Sequence, residues 1–310
     1  MNRIGAWPGL ARETNGSYSA AYGPFLLQSA FQPIFSQSAS GNLTLEAYEA
    51  LVRPSRGGAG VPPPQFFSAV EQGDNTSVER LCRRLHVLNA AAAEIGGALV
   101  FLNFDPACFT EYTDTLNEIE SFSGLLRSIG MSPSQIVCEI TEKRAVSLHM
   151  LRALTDILRE HRFQIAVDDF GADASDSERL AHLKPNIVKF DGNWVARFLE
   201  TTEGFNLLKV MVRQFRENGI VVLFEGLEEH WQVAACRDLG VRLLQGFALA
   251  TPQLLKPATP LPAGETQGAV AGSDRTSPVA PAATPPPAGV WNAPRARRAT
   301  FGRRTRSFTD

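Results

Sequence analysis

Between residues 49 and 245, apolar runs repeatedly end in side chains that can do acid–base or ligand chemistry. Glu49 lies in the last part of one run. Asn103 ends Leu99–Asn103, Glu139 ends the run from Ile136, and Asp168 and Asp169 end the run from Gln164. Lys189 and Asp191 close Ile187–Phe190, Glu225 follows Val221–Phe224, and Gln245 follows Leu243 and Leu244. A charged residue at one strand end ordinarily marks a wet loop. Its recurrence after run upon run points instead to one shared pocket. Carboxylates crowded into such a pocket cannot all stay ionised without compensation. Hard divalent cations supply it, because Mg2+ and Mn2+ prefer oxygen ligands. The adjacent Asp168 and Asp169 could serve two ions about 4 Å apart, and two ions beside a single lysine point to phosphoryl chemistry.

The elements that must hold these groups alternate in type. Candidate strands are Phe31–Phe35, Leu45–Val52, Leu99–Asn103, Ile136–Ile140, Gln164–Asp168, Ile187–Phe190, Val221–Phe224 and Leu243–Leu249. Most are near-continuous apolar runs, as strands buried on both faces require. Between them, Ser77 to Ile95, Leu148 to Arg162 and Phe205 to Asn218 place apolar residues at helical spacing. Gly130, Gly219 and Gly240 stand where helices end. Strands alternating with helices predict an α/β fold, a (β/α)8 TIM-type barrel whose C-terminal strand ends share one rim. An open doubly wound sheet is the alternative, weakened because no G-x-G-x-x-G follows the first strand. The Gly57–Gly60 stretch lacks a following Lys-Ser or Lys-Thr and reads as a turn.

Composition narrows the possibilities. With 310 residues, 44% of them apolar, the chain can bury the core of one large domain. Residues 1–25 read as an N-terminal arm or an extra helix, 26–255 as the folded domain, and 256–310 as a Pro- and Ala-rich tail. The tail includes Pro285–Pro287 and is expected to be disordered, since it cannot bury enough apolar surface to offset its ordering entropy. Its end carries Arg295, Arg297, Arg298, Arg303, Arg304 and Arg306 among Trp291, Phe301 and Phe308. The formal charge of −2 therefore hides an acidic body, which argues against a specific nucleic-acid interface. The basic end could meet an anionic surface or a partner protein. Cys82, Cys108, Cys138 and Cys236 form no C-x-x-C pair, and the histidines have no ligand spacing. A reduced, cytoplasmic protein is expected, with neither a signal peptide nor an apolar run long enough to span a membrane.

The ordered motifs also resemble a known family. Glu49-Ala50-Leu51, within EAYEALVRP, resembles the signature of EAL domains, and FQPIF before it is similar to the family's opening strand. The resemblance continues through Asn103 in FLNF, Glu139-Ile140-Thr141-Glu142 and Asp168-Asp169-Phe170-Gly171. It then runs through Val188 to Asp191, Glu225-Gly226-Leu227-Glu228 and Gln245-Gly246-Phe247, covering about Leu26 to Pro252. It implies a barrel whose first strand is antiparallel to the rest, and hydrolysis of cyclic di-GMP to linear pGpG with Mg2+ or Mn2+. It also implies a homodimer. Glu49, Asn103, Glu139 and Asp168 would hold one ion; Asp168 and Asp169 would share a second, with Glu225 and Gln245 around it. Lys189 would orient or deprotonate the attacking water, its pKa pushed down by the ions, with Glu49 and Glu225 as further catalytic groups. Arg53 would grip a substrate phosphate, with Glu228 and Gln245 also on the substrate side, and Glu142 would brace the loop after Asp169.

That loop departs from the family pattern. Ala172, Asp173, Ala174, Asp176 and Ser177 stand where glycine, aromatic and apolar residues are usual. Phe224 replaces the usual small residue before Glu225 and is expected to tighten packing below the site. The altered loop keeps open a receptor that binds cyclic di-GMP without efficient turnover. A barrel lyase or isomerase using Lys189 as a carbon base, or a glycosidase carboxylate pair, leaves most of the ordered motifs without a role.

Overall fold

The computed structural model describes residues 9–140, 148–171, 180 and 183–258. Glu142, the loop Ala172–Ser177 and the tail from residue 259 lie outside the described residues.

Eight strands close into a barrel in the order β3-β11-β10-β9-β8-β7-β6-β4, with β4 returning to β3. They are β3 (Phe25–Gln37), β4 (Leu43–Arg56), β6 (Leu99–Asn103), β7 (Ile136–Ile140), β8 (Gln164–Phe170), β9 (Ile187–Phe190), β10 (Val221–Phe224) and β11 (Leu243–Leu244); the two-residue β5 (Ala59–Gly60) pairs with the outer end of β4, outside the barrel. From β4 round to β11 every pairing is parallel. β3 is antiparallel to both neighbours, as the family resemblance implies. The cause is local. Residues 38–42 form a tight turn in which Ser38 and Asn42 exchange a backbone bond and Gly41 takes φ +86°. A parallel return would need a crossover of a dozen or more residues.

Helices cover the wall. α1 (Pro63–Ser68) and α2 (Asn75–Ala92) follow β4, α3 (Tyr112–Ser128) follows β6, and α4 (Leu148–Glu160) follows β7. α5 (Gly192–Leu199) and α6 (Thr202–Glu217) follow β9, and α7 (His230–Leu239) follows β10. The expected helix spans hold to within a few residues, the ordinary fraying of helix ends. None of the described helices is long and apolar enough to cross a membrane.

β8 runs on from Asp168 to Phe170, and three strands differ more from expectation. β3 and β4 run well past Phe31–Phe35 and Leu45–Val52, because beyond the barrel they continue to pair as a hairpin, Phe25 opposite Arg56. β11 stops at Leu244 rather than Leu249 because the chain turns at Gly246. The N-terminal segment is neither a flexible arm nor a helix across its described part. It forms β1 (Leu10–Arg12) and β2 (Tyr18–Tyr22), and β2 pairs with the protruding end of β3. A buried polar clip fixes β2 in place. Asn89 on α2 accepts the Tyr18 N–H at 2.8 Å and donates to the Tyr18 carbonyl at 3.0 Å, beside a 2.8 Å His86–Ser29 hydrogen bond. Burial pushes the His86 pKa down to about 3, so this packing histidine stays neutral.

α2 also carries three arginines onto one acid. Arg84 makes a bidentate pair with Glu118 of α3 at 2.8 and 3.1 Å, Arg80 approaches it at 3.2 Å, and Arg83 at 3.9 Å. Arg83 lies over Phe104 and Phe109, 4.6 and 5.5 Å from their centroids. Replacing Glu118 with Gln leaves these guanidiniums without their shared counter-charge. The expected loss is about 3–5 kcal/mol of stability, the usual cost of breaking a buried pair from one side. Urea unfolding reads it, and a loss below about 1 kcal/mol, the range of surface pairs, would show that the cluster contributes little.

Candidate active site

The barrel interior is built in layers by the two-residue period of the strands. One apolar layer takes one residue from each strand: Ile34, Ala47, Phe101, Val137, Ala166, Ile187, Leu223 and Leu243. Two residues further toward the C-terminal rim come Glu49, Asn103, Glu139, Asp168, Lys189, Glu225 and Gln245. The same step on the reversed first strand runs backwards in sequence, from Ile34 to Gln32. Sequence reasoning missed Gln32, although it lies in FQPIF; the signal was the reversed direction of β3, which puts the rim before the apolar residue. Gln32 pairs across the ladder with Glu49 and donates to the Ala250 carbonyl at 3.3 Å.

Lys189 is the centre of this polar layer. It is 1% exposed, and its Nζ lies 2.6 Å from Glu139, 3.0 Å from Asp168, 3.1 Å from Glu225 and 3.7 Å from Glu49. Gln245 donates to the other Glu49 oxygen at 2.6 Å. Burial would lower the Lys189 pKa, but Asp168, Glu139, Glu49 and Glu225 outweigh it and raise the pKa well above its ordinary value. The lowering expected of the lysine pKa belongs to bound cations, and the side chains alone act in the opposite direction. One ammonium cannot neutralise all its neighbours, and the carboxylates carry the excess. Burial holds Glu139 well above the usual carboxylate range, and burial with Asp168 and Glu49 pushes Glu225 up to about 7.

By strand parity Asp169 should face away from Asp168. The ladder between β8 and β9 is irregular between Val167 and Phe170, and Asp169 takes φ +56°. A left-handed non-glycine residue is uncommon, and such strain collects at functional sites. The outcome is that oxygens of Asp168, Asp169 and Glu225 all lie within 4.8 Å of one another. Burial first, then Asp168, raises the Asp169 pKa.

The other expected site residues are placed less centrally. Asn103 is exposed at the rim, opposite Glu139 in the ladder. Arg53 stands on the same strand face as Glu49, two pleats further out on the protruding hairpin, where its Nη1 donates to the Val52 carbonyl at 3.0 Å. Glu228 is exposed on the turn after β10, where its backbone N–H donates to Gln232 at 2.8 Å. Phe224 does not pack below the site. It points out of the barrel, 0% exposed, into an aromatic cluster 5.2 Å from Phe190. A cavity of about 710 Å3 opens at the opposite end of the barrel, where Glu46 and Arg242 pair at 3.6 Å. The chemistry, not the cavity size, marks the rim as the site.

The donor set fits a hard divalent cation. It consists of oxygens, it carries more negative charge than Lys189 can balance, and buried acceptors remain to be satisfied. Glu139 Oε2 and Gln245 Oε1 have no hydrogen-bond partner among the described residues. Such atoms are costly to leave buried unless something binds them.

Fold and site together define an α/β barrel with a lysine-centred acidic pocket on its C-terminal rim. The chain belongs to the EAL domain family, which matches residues 26–252. It is 32% identical over 133 residues to the probable cyclic di-GMP phosphodiesterase PdeA of Escherichia coli, a match covering 42% of this chain and 18% of PdeA. It is 26% identical over 245 residues to the cyclic di-GMP phosphodiesterase RocR of Pseudomonas aeruginosa, covering 77% of this chain and 58% of RocR. The chain thus spans less than two thirds of the length of these relatives. Among solved structures, Klebsiella pneumoniae BlrP1 in a manganese and cyclic di-GMP complex superposes with a TM-score of 0.66 at 24% identity, over 80% of this chain and 59% of that one. A standalone EAL protein from Vibrio cholerae, bound to cyclic di-GMP, gives 0.62 at 24% identity, over 73% of this chain and 92% of that one. These likenesses establish the shared fold.

If the pocket takes a cation, Mn2+ added to protein stripped with EDTA will raise the thermal midpoint. The linkage amounts to about 2.7 kcal/mol at a hundred times the dissociation constant. Asp168→Asn will lose most of that gain, and an unchanged midpoint in the parent at millimolar Mn2+ would count against the site.

Proposed function

We propose that this chain is a metal-dependent phosphodiesterase that hydrolyses cyclic di-GMP to linear pGpG. The observation that carries the reading is the carboxylate ring around Lys189 at the barrel rim, in a family whose curated relatives are named for this activity. In this reading Glu49, Asn103, Glu139 and Asp168 would hold one Mg2+ or Mn2+ ion. Asp168 and Asp169 would contribute to a second, with Glu225 and Gln245 near it. Bound there, the cations would supply a water of lowered pKa and positive charge for the phosphoryl oxygens. The water oxygen bonds to phosphorus as the P–O3′ bond breaks, and the departing O3′ takes up a proton.

Lys189, at the centre of the carboxylate ring, orients or deprotonates the attacking water. Glu49 meets both the lysine and Gln245, and Glu225 meets the lysine beside Asp168 and Asp169, so they hold the water and the lysine in register. Arg53 stands above this layer with a guanidinium suited to a phosphate, and Gln245 and Glu228 border the substrate. Glu142 is assigned to bracing the loop after Asp169. The receptor reading rests on the altered residues Ala172 to Ser177.

Purified protein incubated with cyclic di-GMP in Mg2+ or Mn2+ is expected to give pGpG on chromatography. Glu49→Ala is expected to slow it by at least about 10²-fold, the usual scale for losing one electrostatic contact to a transition state. Binding without product would leave the receptor; neither binding nor product would remove cyclic di-GMP from the reading.

Two further parts of the proposal concern partners. The chain acts as a homodimer in the cytoplasm, a setting supported by four unpaired cysteines. Light scattering should give twice the chain mass, and a single-chain mass would sink the dimer. The Arg-rich end contacts an anionic membrane surface. Full-length protein should co-sediment with phosphatidylserine vesicles at low salt and release at high salt, whereas a chain ending at Ala258 should not bind. That end point keeps Leu255 in the core and the Ala258 N–H on the Ala92 carbonyl. Equal binding by both forms would overturn this role.

A further inference from the structure

We infer that Trp194 is a positioning residue for the Asp168–Asp169 pair. The inference rests on the reading of the rim as a cation site. Asp169 takes φ +56° and Gly171 φ +100°, so two left-handed residues flank Phe170. A chain does not hold such a segment without support from outside it.

The support comes from one unit of the neighbouring strand. Phe170 is anchored among Phe190 at 5.0 Å and Phe215 at 5.4 Å, and its carbonyl accepts the Asp191 N–H at 3.3 Å. Gly171 lies directly against the Trp194 indole. A Cβ there would sit 2.8 Å from Cδ2, 3.0 Å from Cε2 and 3.1 Å from Cγ. The indole cannot retreat easily, because Phe198 lies tilted against it at 4.2 Å and Phe190 at 5.6 Å. Its backbone is fixed as well: Asp191 caps α5 by accepting the Trp194 N–H at 2.8 Å.

The consequence concerns geometry at the metal-binding rim. Asp191 and Trp194 follow Lys189 directly in the chain. The stretch that places the ammonium thus also carries the surface on which the end of β8 rests. Trp194 and Gly171 fit as a flat ring against a residue with no side chain, and this contact sets where the two aspartates point relative to Lys189. Their ligand oxygens, grouped with Glu225 within 4.8 Å, depend on it.

The test is Mn2+ binding to the full chain, followed by the electron paramagnetic resonance of free Mn2+, with the thermal midpoint in EDTA as the fold control. Trp194→Ala is expected to weaken Mn2+ binding by about 10–100-fold, the scale on which residues behind metal ligands act. Trp194→Phe, which keeps a flat ring, should restore most of it, and Trp231→Ala, at an exposed tryptophan, should leave affinity unchanged. Gly171→Ala should weaken binding too, and the double variant should be weaker than either single by much less than the product of their effects. Should Trp194→Ala fail to fold, Gly171→Ala alone and with Trp194→Phe carries the comparison. Mn2+ affinity in a folded Trp194→Ala within about twofold of the parent, or single effects that simply multiply, would overturn the proposal. A parent that takes up no Mn2+ would overturn the cation site itself; a parent that binds beside an indifferent Trp194→Ala overturns the positioning role alone.

Discussion

One buried ammonium facing more carboxylates than it can neutralise is the constraint on which this molecule is organised. Lys189 is held by Glu139, Asp168, Glu225 and Glu49, and each comes from a different strand. Left to themselves in water these groups would separate. They stay together because each is the continuation of a strand whose preceding inward residue is locked in the apolar layer below. The barrel thus turns the hydrophobic burial of eight apolar residues into the close approach of like charges. Burial first, and the neighbouring carboxylates after it, raise the pKa values of Glu139, Glu225 and Asp169, and a donor set of this charge fits a cation.

Outside the wall, a second layer keeps the strand ends from moving independently. Phe170, Phe190, Phe215 and Phe224 form one aromatic cluster, joined by Trp194 and Phe198, behind the aspartates and the lysine. The rim turns after β9, β10 and β11 meet backbone to backbone. Gly192 and Gly226 approach so closely that a Cβ on Gly192 would lie 2.7 Å from the Gly226 Cα. At Gly246 a Cβ would lie 2.1 Å from the Leu227 carbonyl oxygen. Backbone packed against backbone has little room to yield, so neighbouring site residues share one rigid frame. Interiors packed to crystal-like density transmit position in this way.

The first strand gives the rim a different character on one side. Because β3 and β4 form an antiparallel hairpin, they can continue beyond the point where the parallel strands stop. Arg53 is carried above the acidic layer on that extension. β1 and β2 widen it, and α1 and α2 back it through Phe66, Val78 and Leu85. This wall rises beside the pocket where a substrate larger than a water and a cation would need a surface.

The run of apolar segments ending in Glu49, Asn103, Glu139, Asp168, Lys189, Glu225 and Gln245 was legible in sequence because burial on both faces leaves continuous apolar stretches, and a functional group must interrupt them at the rim. Barrel class and most strand positions followed from that pattern, and the family from the resemblance of the ordered motifs. Gln32 was not legible, since only the antiparallel direction of β3 puts its rim end before the apolar residue. Nor was the orientation of Phe224, which a two-residue period sends outward once Leu223 is known to face in. Asp169 needed the left-handed turn that overrides strand parity, and β1 and β2 needed Asn89 and the free edge of β3, partners far away in the chain. The sequence by itself determined which residues can form strands and which groups stand at their ends, because those are matters of local composition and period. The tertiary structure alone decided which groups face one another, since facing depends on strand direction, register and contacts between segments distant in the chain.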